Sequence, residues 1–247
     1  MPMAKPNILF IDIETLPNIA YAFNLYDYKK PNMIIKEKSI ITFAYKFNSE
    51  PTKVVTALDF QSGTKKDPYN DKGLVEFINS VIEKADYVVA HYGDKFDMRF
   101  IRSRSLINGL VATPSVPTID TYKLAKKYFH LNANRLDYLG KLLGLGGKSE
   151  SGWKLWEKSA QGDVEAIKKM AAYNKRDVDL LAAVFLKMLP HTTGVLNQKL
   201  FSDKSGICPT CGSDKIQKRG TIVNKLTKRQ RYFCTKCGSW HSEKMEK

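Results

Sequence analysis

Two carboxylates close the first apolar segment of the chain. Residues 7–15, NILFIDIET, are apolar and β-prone, and they carry Asp12 and Glu14 two positions apart. Side chains two apart in a strand project from the same face, so these acids repel each other unless a cation lies between them. A hard divalent metal ion would supply that charge. The alternative is that the strand simply ends there and both acids face water.

Two further acidic sites occur later in the chain. Asp97 ends the segment HYGDKFD, and a second interpretation makes Asp94 the N-cap of a helix with Asp97 in its third position. Tyr173 and Asp177 are four residues apart, so they share one face of a predicted helix. That face would present a phenol and a carboxylate to one spot. A core tyrosine beside a surface acid would explain the same spacing.

The ordered set Asp-x-Glu, Phe-Asp and Tyr-x-x-x-Asp resembles the DEDD superfamily of 3′–5′ exonucleases, also called DnaQ-like. Tyrosine in the last motif marks one subgroup of that superfamily. More narrowly, the chain looks like exonucleases of phages and bacteria that are related to the proofreading domain of B-family polymerases. The resemblance covers roughly residues 7–190. It implies a ribonuclease H-like fold, an α/β domain with a mixed sheet flanked by helices.

The resemblance also implies a role for each acid. Asp12 would bridge two magnesium or manganese ions, Glu14 and Asp177 would complete one metal site, and Asp97 would support the other, partly through water. Tyr173 would orient the attacking water. Two such ions can activate a water molecule and stabilise the leaving oxygen of an in-line displacement. The expected product is a 5′-mononucleotide.

Substrate contacts are predicted at four positions around these acids. Thr15 and Leu16 follow the Asp-x-Glu motif, where the family often contacts the terminal nucleotide, and Leu16 would wedge against its base. His91 and Phe96 are predicted to lie beside the substrate. A structural histidine is the alternative for His91, and Phe96 would face the core if Asp94 were the cap.

All four cysteines lie in two Cys-x-x-Cys-Gly motifs near the end of the chain, Cys208–Cys211 and Cys234–Cys237. The glycine after each pair permits a tight turn around a metal. The spacing resembles a zinc ribbon, a small β module in which four thiolates hold one structural zinc. Redox chemistry by either pair is the alternative.

Positive charge is concentrated in the same region. The formal net charge of the 247 residues is +15, and from Lys204 onward eleven Lys and Arg face three Asp and Glu. Basic and aromatic residues alternate there, a pattern that favours a single-stranded nucleic-acid partner. A ribbon that merely contacts the main domain or another protein is the alternative. The sequence shows neither a membrane-spanning run nor a signal-peptide pattern, so we expect no membrane partner and a cytoplasmic protein, in a bacterium or a phage-infected host.

Hydrophobic periodicity predicts strands, a helix, a strand and then helices, an order that argues for one α/β domain. The predicted strands cover residues 7–15, 39–47, 53–58 and 87–91, and the predicted helices cover 72–84, 95–108, 135–143 and 163–189, with one more helix starting at Asp120. The expected organisation is an exonuclease domain over 1–190, a linker over 191–205 and the ribbon over 206–247.

Together these features predict a two-metal-ion 3′–5′ exonuclease that acts on single-stranded DNA ends in replication or repair, with a polymerase or replication protein as a candidate partner. An exoribonuclease of the same mechanism fits the motifs equally well, because nothing in them separates ribose from deoxyribose. A catalytically silent module that binds nucleic acid or a polymerase is the alternative of another class. The full acid set argues against it.

Overall fold

The computed structural model describes residues 5–24, 33–147 and 152–245. Its strands are β1 (Ile8–Thr15), β2 (Ile19–Tyr21), β3 (Met33–Lys36), β4 (Ile40–Phe47), β5 (Lys53–Thr56), β6 (Tyr87–Ala90), β7 (Thr118–Asp120), β8 (Ile216–Val223), β9 (Lys228–Cys234) and β10 (Trp240–Lys244). Its α-helices are α1 (Lys72–Ile82), α2 (Asp97–Ile107), α3 (Thr121–Tyr128), α4 (Leu136–Leu142), α5 (Trp153–Ala160) and α6 (Val164–Met188). No described helix is long and apolar enough to cross a membrane.

A five-stranded sheet in the order β5-β4-β1-β6-β7 forms the centre of the main domain. Strand β1 is antiparallel to β4 and parallel to β6, so the sheet is mixed. Helices α1 and α2 pack on one face, and α3, α4 and the C-terminal half of α6 pack on the other. The predicted α/β class, a mixed sheet flanked by helices, is confirmed.

The alternation of side chains along β1 decides which way its acids face. Leu9 and Ile11 lie in the cluster beneath α1 and α2, whereas Ile8 and Phe10 lie in the cluster with α6. The ring of Phe10 meets that of Phe185 on α6 edge-on, with centroids 5.6 Å apart. Because successive strand residues point to opposite faces, Asp12 and Glu14 continue the α6 face beyond this apolar contact.

A buried ion pair ties the two helices of the opposite face together. The Asp71 carboxylate precedes α1 and accepts two hydrogen bonds of 2.8 Å from the guanidinium of Arg104 on α2. It also accepts from the backbone N–H of Ile40 and from the side chain of Asn108. Every acceptor direction of this carboxylate therefore has a donor, which a buried charge requires.

Two local predictions differ from the structure. The strand predicted over residues 53–58 ends at Thr56, because Asp59 caps a 3-10 turn by accepting from the Thr56 N–H. The alternative in which Asp94 caps this helix is wrong: α2 begins at Asp97 after Phe96, and Asp94 instead accepts from the ammonium of Lys123 and from the Thr118 hydroxyl.

The C-terminal module is a three-stranded antiparallel sheet in the order β10-β9-β8. The preceding residues pack against the main domain. Leu196 is buried in the cluster that contains α6, and the ring of Phe201 lies 6.3 Å from that of Tyr87. The Gln198 N–H donates to the Pro209 carbonyl, which links this segment to the module. The segment that connects the two parts therefore contacts both the main domain and the C-terminal module.

Candidate active site

Three carboxylates meet where β1 passes beneath α6. Asp12, Glu14 and Asp177 each offer an oxygen, and these oxygens all lie within 4.8 Å of one another. Asp177 is buried, and the two acids of β1 are half-buried. The strand period places the first two on one face, and the helix lays the third over them. The structure therefore brings together carboxylates separated by more than 160 residues of sequence.

Asn174 joins this cluster, and the sequence analysis missed it. Its Nδ2 donates a hydrogen bond of 2.6 Å to Oδ2 of Asp12, and its Oδ1 accepts from the Thr42 hydroxyl at 3.0 Å. Thr42 lies on β4 directly opposite Glu14. Asn174 stands three residues before Asp177, so it shares that helix face. This spacing is the signal that could have identified it.

Asp97 lies beside the cluster but does not belong to its mutually close oxygens. Its Oδ1 accepts the backbone N–H of Ile13 at 3.2 Å. Strand β6 pairs with β1 as far as Phe10, and beyond that point no described strand pairs with β1 on this side. The first residue of α2 supplies the acceptor instead. Asp97 is thereby fixed next to the residue that separates Asp12 from Glu14.

The other predicted residues occupy different environments. Tyr173 is half-buried on α6, one turn before Asp177, and Thr15 is half-buried at the end of β1. His91 follows β6, and its Nδ1 lies 2.9 Å from the Thr121 hydroxyl. Phe96 is 41% exposed. Leu16 is fully buried in the core, so a contact between this side chain and a base would require the segment to move; that contact stays a prediction.

The donor chemistry of the acid cluster fits divalent cations. Three carboxylates at this separation concentrate negative charge, and a cation between them would relieve their repulsion. Their oxygens are hard ligands of the kind that magnesium and manganese prefer. The amide of Asn174 fixes the orientation of the Asp12 carboxylate through its Oδ2. The residues present therefore fit a divalent metal centre.

The four cysteines form a second candidate metal centre. Their sulfurs lie within 4.8 Å of one another, with Sγ of Cys208 3.8 Å from Sγ of Cys237 and Sγ of Cys211 3.7 Å from Sγ of Cys234. The two cysteine pairs lie in two turns of the same type. The N–H of Gly212 donates to the Cys208 carbonyl, the N–H of Gly238 donates to the Cys234 carbonyl, and both glycines have positive φ. Four convergent thiols are compatible with zinc.

Ser239 contacts two thiols of this centre and lowers the pKa of one of them. Its hydroxyl lies 3.2 Å from the sulfurs of both Cys208 and Cys237. Burial by itself raises the pKa of Cys208, but hydrogen bonds from Ser239 and from nearby backbone N–H groups outweigh it and lower the pKa to about 7. Burial raises the pKa of both Cys211 and Cys234. Thiolate formation, which zinc binding needs, is thus easier at Cys208 than at Cys211 or Cys234.

A mixed five-stranded sheet with acids on its central strand and a long helix across them defines a ribonuclease H-like α/β domain. A family model described as the RNase H superfamily matches residues 9–189, most of the chain, and the chain belongs to that superfamily. A search of curated proteins finds no significant match to the chain. RNase H-like nuclease domains act on nucleic acid, so the family indicates a nuclease-type function.

Proposed function

We propose that this protein is a metal-dependent 3′–5′ exonuclease that removes 5′-mononucleotides from single-stranded DNA ends. The observation that carries the proposal is the convergence of Asp12, Glu14 and Asp177 within 4.8 Å, with Asp97 fixed alongside by the Ile13 N–H. These acids belong to three separate motifs of the sequence. A silent binding module has no need to bring them together.

The acids would hold two magnesium or manganese ions, which when bound activate water and stabilise the leaving oxygen of an in-line displacement. The chain's own groups do the positioning. Asn174 holds the Asp12 carboxylate in one orientation by its 2.6 Å hydrogen bond. Tyr173 is proposed to orient the attacking water; a phenol with an ordinary pKa of about 10 holds its proton at neutral pH, so it is not a free base.

The ribbon is proposed to bind nucleic acid with its basic, aromatic face. The Arg231 guanidinium lies 5.0 Å from the ring centroid of Trp240, and the Phe233 and Trp240 rings lie 5.0 Å apart. This face borders a groove of about 650 Å³ between the ribbon and residues 192–199, with Arg229 and Arg231 on its walls. Stacking surfaces beside cations suit single strands. We propose a structural zinc for the four cysteines.

An exoribonuclease of the same mechanism is the second candidate, because the acid motifs do not separate ribose from deoxyribose. A replication or repair setting and a polymerase partner are extensions of the same proposal. They follow from the resemblance in sequence to proofreading exonucleases.

The test is the Asp12→Ala variant on end-labelled single-stranded DNA. We expect cleavage to fall by about 10³-fold or more, because the loss of a ligand removes the electrostatic stabilisation of the reacting phosphate. Binding of the same DNA should change little. Wild-type turnover by Asp12→Ala would contradict the site assignment.

A further inference from the structure

A basic pocket lies on the far side of the turn that follows β6, and none of the clustered acids lines it. It encloses about 280 Å³ between the turn after β6 and helix α3. We call it the lysine pocket; two tyrosines and four lysines line it, Tyr92, Lys95, Tyr122, Lys123, Lys126 and Lys127. Among the described lining residues, Asp120 is the sole carboxylate.

Most of the positive charge of the lysine pocket is uncompensated. Asp120 already accepts from the backbone N–H groups of Tyr92, Tyr122 and Lys123. Lys123 is paired with Asp94 at 2.6 Å. Lys95, Lys126 and Lys127 are exposed and have no carboxylate partner among the described residues. Three unpaired lysines therefore line one hollow whose single described carboxylate already accepts three backbone N–H groups, an arrangement that favours phosphate groups.

An aromatic surface accompanies these lysines. Tyr92 is 43% exposed, and its ring meets that of Tyr122 edge-on with centroids 5.3 Å apart. Its backbone is left-handed, with φ of 64°, which is uncommon for a bulky residue and costs roughly 1–2 kcal/mol. The Asp120 carboxylate holds this conformation through the Tyr92 N–H. Strain of this kind is concentrated at functional sites.

The same turn connects the lysine pocket to the acid cluster. Gly93 follows Tyr92, and a Cβ placed on it would lie 2.3 Å from Cβ of Ala90 and 3.6 Å from a carboxylate oxygen of Asp97. The turn is therefore packed directly between the end of β6 and Asp97. On its other side, Tyr92 and Tyr122 also line the hollow that contains His91. The lysine pocket and the hollow with His91 therefore adjoin at these two tyrosines.

We infer that the lysine pocket binds the phosphate backbone of a single-stranded nucleic acid a few nucleotides from the cleaved end, with a base resting on Tyr92. This inference rests on the proposed function for the identity of that strand as the substrate. Cationic grooves lined with exposed rings are how proteins hold single strands without reading their sequence. The pocket would give the enzyme its grip on the strand while successive terminal nucleotides are removed.

The test compares two triple variants in the full-length Asp12→Ala protein. This background is used because it should leave the bound oligonucleotide uncleaved. The pocket variant is Lys95→Gln/Lys126→Gln/Lys127→Gln. The control variant, Lys53→Gln/Lys72→Gln/Lys84→Gln, removes the same charge from exposed lysines of β5 and α1 and of the residues after α1. Affinity for fluorescent oligothymidylates of 3 to 20 nucleotides is measured by anisotropy between 50 and 300 mM KCl.

We expect the slope of log affinity against log salt to fall by about two in the pocket variant, because each lost phosphate contact on a single strand removes about 0.7. The loss should appear with long oligonucleotides and vanish with the shortest. Tyr92→Asn should weaken binding about tenfold through lost stacking. Asparagine is chosen because it tolerates the left-handed backbone at this position. A pocket variant with the slope and affinity of the control would overturn the inference.

The two proposals fail separately. If the wild-type protein never shortens DNA yet its Asp12→Ala form binds through these lysines, the exonuclease proposal fails and the lysine pocket stands. If the wild-type protein shortens DNA but the pocket variant binds like the control, the inference about the pocket fails and the exonuclease proposal stands.

Discussion

Asn174 on α6 donates a 2.6 Å hydrogen bond to Oδ2 of Asp12 on β1, and this contact joins the helix to the strand at the acid cluster. Asn174 has no exposed surface, and its second polar atom is taken up by Thr42. The amide therefore has one fixed orientation and can act as a positioning group. It holds one oxygen of Asp12 at a distance that only a close helix–strand contact allows.

Replacement of Asn174 by Asp should weaken metal binding at the acid cluster. The new carboxylate would lie beside Asp12 and raise the pKa of that acid by like-charge repulsion. Loss of a group that orients a ligand typically costs 10- to 100-fold in metal affinity. A manganese titration measures this, and the acidic limb of the pH–rate profile should move to higher pH. Lys175→Ala, on the exposed side of the same helix, should change neither.

Asp71→Ala should destabilise the main domain by about 3–5 kcal/mol, because it leaves the buried Arg104 guanidinium without a counter-charge. The exposed pair between Asp67 and Lys36, 2.9 Å apart, is the matched control. Asp67→Ala should cost less than about 1 kcal/mol. Urea unfolding of both variants checks the difference. Equal losses in the free energy of unfolding would contradict the claim that burial makes the Asp71–Arg104 pair more important for stability than the exposed pair.

Asp94→Asn should lower stability at pH 7 by less than about 1 kcal/mol, since this ion pair is partly exposed. Burial raises the pKa of Asp94, but hydrogen bonds from Lys123 and Thr118 outweigh it and lower the pKa below 3.8. A depressed acid stabilises the fold above its unfolded pKa, and that contribution is lost as the pH falls below about 4. Urea unfolding at pH 7 and pH 3 should therefore show the variant approaching wild type in acid. Glu76→Gln, on exposed α1 surface, should show no such convergence.

Cys234→Ala should remove zinc and unfold the ribbon while the main domain persists. A module of this size depends on its metal for folding, whereas the sheet of the main domain has a core of its own. Zinc content should drop from one per chain to nearly none, and trypsin should cut within residues 206–245. Lys225→Ser, in the turn between β8 and β9, should retain both zinc and resistance. A zinc-free variant with an intact ribbon would contradict the structural role.

Strong periodic patterns made most of the fold predictable from the sequence. The helix predicted over residues 163–189 is α6, Val164–Met188, and the apolar run at residues 7–15 is β1. The sequence analysis does not predict the short elements: β7 has three residues directly after Pro117, and β2 and β3 form a separate two-stranded sheet of the described residues. Such segments are too short for a hydrophobic period to define them.

The candidate site was predictable as motifs but not as contacts. The period of two along β1 and the spacing of four on α6 anticipate which side chains share a face. Nothing in the sequence reveals that β6 stops pairing at Phe10, which leaves the Ile13 N–H for Asp97. The lysine pocket likewise depends on the left-handed turn at Tyr92. Its lysines come from two separate segments that only the fold brings together.

The most direct test is to incubate the protein with matched 5′-labelled single-stranded DNA and RNA in the presence of magnesium or manganese. The account predicts a ladder that shortens from the 3′ end, with none in metal-free buffer and none for Asp12→Ala, and the faster substrate identifies the sugar. The Asp12→Ala control leaves the cysteine centre intact, which a chelator would not. Binding of both strands with no shortening of either, under conditions where the protein is folded and loaded with metal, would contradict the proposal.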